Sequence, residues 1–115
     1  MTPEGRIKAK VNKLLKEPWL VDKLWYFMPV QRGFGKPTLD YILCVNGYFV
    51  AVETKKDARS TLTDRQKSTM RAMVQAGGRA HVVYDADTLQ HLHECLRELS
   101  GVGAGCDDAP ERQAA

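Results

Sequence analysis

Asn46-Gly47 stands between two apolar runs, residues 39–45 (Leu39-Asp40-Tyr41-Ile42-Leu43-Cys44-Val45) and residues 48–55 (Tyr48-Phe49-Val50-Ala51-Val52-Glu53-Thr54-Lys55). No other feature restricts the folding choices of this chain as tightly. Asn-Gly between such runs specifies a two-residue type I′ hairpin, because both central residues must take positive φ. Val45 then faces Tyr48, and counting outward from the turn sets Asp40 opposite Glu53. Cβ atoms of such a cross-strand pair lie roughly 4.5–5.5 Å apart. Lys55 follows Glu53 by two residues and so projects from the same face.

Like charges directly opposite each other destabilise a sheet. Here they end strands that are apolar on both faces, so the pair is expected to be partly buried, and a buried carboxylate must be paired, protonated or bound to a metal. A hard divalent cation resolves the conflict: Mg²⁺ takes one or two carboxylates and completes its shell with water and phosphate oxygens. The competing reading is a pair of exposed strand ends balanced by Lys36, Lys55 and Lys56.

The remaining elements read in order. Thr2 is a helix N-cap with Pro3 at the first helical position, and Ile7, Val11, Leu14 and Leu15 carry the helix to about Lys16, before Pro18. Glu4 lies on the apolar stripe of that helix and not on the face of Lys10, Lys13 and Lys16. Residues 24–31 form a strand that Pro29 assigns to an edge or a bulge. The loop Arg32-Gly33-Phe34-Gly35-Lys36-Pro37-Thr38 lacks Walker spacing, and Pro37 stands where a phosphate-loop helix would continue, so nucleotide binding is set aside. Thr63-Asp64-Arg65-Gln66 matches a capping box. It opens a helix with a modest apolar face, Met70, Met73 and Val74, which stops at Gly77-Gly78. Residues 79–84 form a strand, and Asp85 or Asp87 caps a last helix carrying Leu89, Leu92, Leu96 and Leu99. Residues 1–99 are read as one domain and residues 100–115, rich in Gly, Ala, Asp and Pro, as a disordered tail. The order is helix, strand, strand, strand, helix, strand, helix. A crossover after the hairpin returns a parallel strand, which makes a mixed α/β sheet flanked by helices.

Composition sets the class of partner. At 115 residues, 43% apolar and 27% charged, the chain has the make-up of a soluble single domain. No apolar run approaches the ~20 residues of a membrane span, and the opening residues lead into a helix without a secretory pattern. Three cysteines, Cys44, Cys95 and Cys106, form no CxxC, which fits a reducing, cytoplasmic setting. Residues 1–80 hold 15 Lys and Arg against 7 Asp and Glu, a net of +8; residues 81–115 hold 2 against 7, a net of −5. A basic front portion calls for an anionic partner, with nucleic acid foremost.

Asp40 followed by Glu53-Thr54-Lys55 is the pattern Asp…Glu-x-Lys. On this order of elements it resembles the PD-(D/E)xK nuclease superfamily. The ordered set Thr2-Pro3-Glu4-Gly5, Trp25-Tyr26-Phe27-Met28-Pro29-Val30-Gln31, Pro37-Thr38-Leu39-Asp40, Phe49-Val50-Ala51-Val52-Glu53-Thr54-Lys55, Leu62-Thr63-x-x-Gln66 and Ala76-Gly77-Gly78 is similar to the small stand-alone VRR-NUC proteins encoded by bacteriophages. It covers about residues 2–84. The resemblance implies a restriction-endonuclease-like core and a Mg²⁺- or Mn²⁺-dependent endonuclease acting on DNA, with branched substrates such as the four-way (Holliday) junction foremost. It implies Asp40, Glu53 and the Thr54 carbonyl as metal ligands, Lys55 as the catalytic lysine, and Glu4 and Gln66 as further active-site residues. Two departures stand out. The common Pro-Asp pair is spread into Pro37-Thr38-Leu39-Asp40, and residues 17–23 make a longer link than expected.

Lys8, Arg32, Lys36, Lys56, Arg59 and Arg65 flank the site in sequence and are candidate DNA contacts. A symmetric homodimer would supply two sites for two strands. Gln66 has a rival explanation in the capping box alone. His91 and Cys95 share a helix face but no second pair completes a zinc site. Trp19, Trp25, Tyr26 and Phe27 are read as packing. The alternative function is a non-catalytic nucleic-acid-binding module on a nuclease-like scaffold, which would bind in a salt-sensitive way without cleaving. A protein-interaction subunit fits the basic excess least well.

Overall fold

The computed structural model describes residues 1–30 and 37–101. Helix α1 spans Pro3–Leu14. The Thr2 hydroxyl accepts from the Gly5 N–H at 3.0 Å, and Ile7, Val11 and Leu14 form the buried stripe. A four-residue helix, α2 (Pro18–Val21), occupies the link that looked too long. Pro18 opens it and the fully buried Leu20 anchors it. Strand β1 covers only Leu24–Phe27, ending before Pro29.

Strands β2 (Tyr41–Val45) and β3 (Tyr48–Thr54) form the expected hairpin. Asn46 and Gly47 have φ of 51° and 88°, as a type I′ turn demands. Val45 pairs with Tyr48 and Tyr41 with Val52. The tip is tied down at two points: Asn46 Nδ2 donates to the Leu99 carbonyl at 3.1 Å, and the Asn46 N–H donates to the Lys23 carbonyl at 2.8 Å.

Helix α3 (Asp64–Gln75) starts at the Thr63 capping box, and strand β4 (Arg79–Val83) returns parallel to β3. Helix α4 (Ala86–Ser100) is capped by Asp85 and closes on Gly101, at φ 85°. The sheet order is β1-β2-β3-β4, antiparallel except for β3 with β4. β1 is thus an edge strand, which is where a proline-bearing segment belongs. The outcome is the expected α/β architecture, a mixed sheet flanked by helices.

The core lies on one face of the sheet. Tyr41, Leu43, Val45, Val50, Val52 and Val83 pack there against Ile7, Val11, Leu14, Leu15, Leu20, Leu92, Leu96 and Leu99. Trp19 and Tyr26 pack against this cluster as expected. Strand alternation sends Ile42, Cys44, Phe49, Ala51 and Glu53 to the opposite face, where α3 lies. Two expectations fail on that face. Trp25 (63% exposed) and Phe27 (45%) are not core, and Cys44 beside them is exposed as well. Their alternation points them away from the core, over the β1–β2 half of the sheet. Helix α3 buries none of its own residues, so Met70, Met73 and Val74 make a shallow contact only. Among the described residues no helix is long and apolar enough to cross a membrane.

Candidate active site

The hairpin's open end gathers the acids between α1 and α3. Asp40 sits one residue before β2, and Glu53 lies in β3 two residues before Lys55. The Asp40 N–H donates to Glu53 Oε1 at 3.2 Å. Asp40 Oδ2 accepts from the Thr54 N–H at 2.9 Å and from the Thr54 hydroxyl at 2.7 Å. Each acid therefore holds the other's strand. Asp40 Oδ1 faces the Lys8 ammonium at 4.0 Å. Lys55 continues the parallel ladder through its N–H to the Val83 carbonyl, and its ammonium lies 3.7 Å from Glu53 Oε2.

The electrostatics are lopsided. The Glu53 side chain is only 6% exposed. Burial, then the Asp40 charge, push its pKa up to about 7; Lys55 and the Asp40 N–H pull it down, and Glu4 adds to the rise. Loss of solvation, more than any one neighbouring charge, holds Glu53 toward its protonated form. Tyr41 behaves differently: burial first, then Asp40, raise its pKa to about 12, so it remains a fixed O–H donor. Its hydroxyl donates to Asn12 Oδ1 at 2.7 Å and lies 3.3 Å from the Lys8 carbonyl, which locks α1 against the end of β2.

A solved structure titled "VRR_NUC domain" matches with a TM-score of 0.67 and 19% identity, covering 82% of this chain and 97% of that one. The chain has the VRR-NUC fold. No family model and no curated protein matches the sequence.

Within this VRR-NUC fold the structure brings together Asp40, Glu53, Thr54, Lys55, Gln66, Glu4 and Lys8. Gln66 serves both of its competing explanations. Its Oε1 accepts from the Thr63 N–H at 3.0 Å, completing the capping box, while its Nε2 donates to Glu53 Oε2 at 2.7 Å. Glu4 stands at the rim, 3.6 Å from Lys8 and near enough to raise the Glu53 pKa.

The basic candidates are spread out. Lys56 and Arg59 are exposed in the loop after β3, whose turn is organised by Asp57 accepting from the N–H groups of Arg59 and Ser60. Arg65 is exposed on the first turn of α3 and lines a cleft that Pro37 also lines. Arg32 and Lys36 lie outside the described residues. His93 stacks on Trp19 at 5.3 Å between ring centroids, a packing contact.

Sequence reasoning missed three contributors. The Thr54 hydroxyl was not foreseen as a clamp on Asp40. The Asn12–Tyr41 bond was invisible because it joins residues 29 apart. The place of Lys8 between Glu4 and Asp40 is the third, and its i,i+4 spacing from Glu4 was the available signal.

The donor set fits a hard divalent ion. Asp40 and Glu53 stand on adjacent strand ends, tied by the Asp40 N–H to Glu53 Oε1, and Asp40 Oδ1 is not used by Thr54. Among the described residues no three His, Cys, Asp or Glu side chains group to hold an ion alone. The remaining ligands would be main-chain oxygen, water and substrate phosphate, the mixture Mg²⁺ favours.

Proposed function

We propose that the protein is a divalent-metal-dependent endonuclease that hydrolyses DNA phosphodiester bonds. The observation that carries this reading is the buried Glu53 carboxylate, which accepts from the Asp40 N–H and lies 3.7 Å from the Lys55 ammonium, beside an Asp40 carboxylate fixed by Thr54. The VRR-NUC fold supports it. Asp40, Glu53 and the Thr54 carbonyl would hold Mg²⁺ or Mn²⁺. The bound ion would supply a polarised phosphate oxygen and a water of lowered pKa.

The chain's own residues do the rest. Lys55, 15% exposed and held by β3, stabilises negative charge on the attacking oxygen or the phosphate. Thr54 and the Asp40 N–H keep the two carboxylates in register. Gln66 orients Glu53 from α3. Glu4 reaches the centre through water. Lys8, Arg32, Lys36, Lys56, Arg59 and Arg65 contact the backbone phosphates. Branched DNA, such as a four-way junction, is the substrate, cut by a homodimer that brings one centre to each of two strands. The setting is a reducing cytoplasm, that of the bacterial host if a phage encodes the chain.

The test is cleavage of labelled linear, nicked and branched DNA with Mg²⁺ or Mn²⁺, run beside Lys55→Ala. Metal-dependent cutting that the variant lacks is the expected result. Intact DNA in every lane, with salt-sensitive binding retained, would leave the binding-module reading in its place.

A further inference from the structure

Two ammonium groups enter the acidic pocket, and they enter differently. Lys55 comes from a rigid strand end and rests on Glu53. Lys8 comes from α1 and reaches two acids at once, Glu4 Oε2 at 3.6 Å and Asp40 Oδ1 at 4.0 Å. Asp40 Oδ1 is the oxygen that Thr54 leaves aside, since both Thr54 bonds go to Oδ2. Lys8 thus covers Asp40 Oδ1, an oxygen that an incoming ion would need, and ties it to Glu4 at the rim.

We infer that Lys8 competes with a divalent ion for this centre: its ammonium leaves Asp40 and Glu4 when the ion binds, and then moves to a DNA phosphate. This rests on the endonuclease reading above.

The local build allows such an exchange. The backbone of Lys8 is fixed within α1, which the Tyr41 hydroxyl anchors through Asn12 Oδ1 at 2.7 Å. Its side chain is 33% exposed and makes only long contacts, so it can swing without moving α1. An ammonium is a compact, strongly hydrated charge on a flexible stem, and it exchanges partners more readily than a guanidinium fork. Two carboxylates in a poorly solvated site need compensation at all times. A lysine that holds the place until the ion arrives lowers the free energy of the empty centre and so weakens ion binding.

The experiment measures Mn²⁺ affinity directly, with no DNA present, by titration calorimetry or by the EPR signal of free Mn²⁺. Lys8→Met keeps the apolar stem and removes the charge. It should bind Mn²⁺ about tenfold more tightly at low ionic strength, since a unit charge ~4 Å from a ligand oxygen outweighs solvent screening there. Lys8→Arg should stay within about twofold of wild type, because the charge is kept. With Ca²⁺ in place of Mn²⁺, Lys8→Met should bind a four-way junction more weakly, its log–log salt slope reduced by about 1.

Opposite signs for metal and DNA are the signature; a merely structural lysine moves neither, or weakens both. Unchanged or weaker Mn²⁺ binding by a folded Lys8→Met protein overturns the inference and leaves the endonuclease reading standing. No Mn²⁺ binding by the wild type overturns both. Should Lys8→Met fail to fold, wild-type protein with ¹³C-methylated lysines decides the matter. The Lys8 resonance, assigned by its absence in Lys8→Arg, must shift on adding Mg²⁺, and a static resonance overturns the exchange.

Discussion

The two faces of this sheet are built for different purposes. On one face, α1, α2 and α4 bring leucines and valines into a continuous core with β2, β3 and β4. On the other, α3 buries none of its own residues, a cleft of about 630 Å³ opens along it among Phe49, Ala72 and Met73, and Trp25 and Phe27 stand in solvent. The acids lie at the hairpin's open end, Glu53 held by Gln66 of α3 and Asp40 facing Lys8 of α1. The dense face supplies the free energy that lets the chain keep both carboxylates there.

The sharpest way to break this contrast is at Lys55. Lys55→Ala should lower the cleavage rate by roughly 10²–10³-fold, the usual loss for one charge-stabilising donor, with an unchanged circular dichroism spectrum. A variant that still cuts at the wild-type rate removes the chemistry from this centre. The dense face should respond in the opposite currency. Leu96→Ala should lower unfolding free energy by about 2–5 kcal/mol, whereas Val74→Ala on α3 should stay within about 0.5 kcal/mol. Equal losses in urea titrations would mean that the faces do not differ.

Acidity sharpens the contrast further. Glu53 rises from an ordinary 4.5 to about 7 in the folded chain, so the folded state binds more protons than the unfolded state across that interval. Unfolding free energy therefore falls as pH rises from about 4.5 to 7, by a total on the order of 3 kcal/mol. It is unaffected below that window, where both states are protonated. His81 on β4 acts in the other sense: burial and then the charges of His91 and Arg79 lower its pKa, so its contribution is lost as pH falls through the unfolded histidine value. The difference between wild type and Glu53→Ala isolates the glutamate, and saturating Mg²⁺ should flatten the wild-type slope. A difference that does not vary with pH would contradict the buried-acid account.

The smallest effect concerns the start of α3. Thr63→Ala should lower stability by about 1 kcal/mol through loss of a cap while leaving most of the cleavage activity. Gln66→Ala should match that loss of stability and also slow cleavage, because Glu53 loses a hydrogen-bond donor. Equal cleavage by the two variants would reduce Gln66 to a cap.

Local chemistry explains what was legible. The type I′ demand of Asn46-Gly47 carried the register of β2 and β3, and that register alone placed Asp40 beside Glu53. The caps Thr2, Thr63 and Asp85 announced three helix starts, each a bond between residues three apart. What could not be read depends on docking between distant segments. Which half of the sheet α3 would leave open is not encoded in the alternation of β1 or β2, so the exposure of Trp25 and Phe27 is not legible there. The α2 turn was hidden because four residues are too few for a hydrophobic period to show. The bridge from Lys8 to Asp40 needed the packing of α1 against Tyr41, a contact across 33 positions.

The Gln66 amide has one further consequence. Because a single side chain both closes the first turn of α3 and grips Glu53, any ligand that pulls on that carboxylate also tugs on the fastening of the helix. Amide hydrogen exchange at Thr63 should therefore report occupancy of the acidic centre from a distance, without a substrate or a turnover.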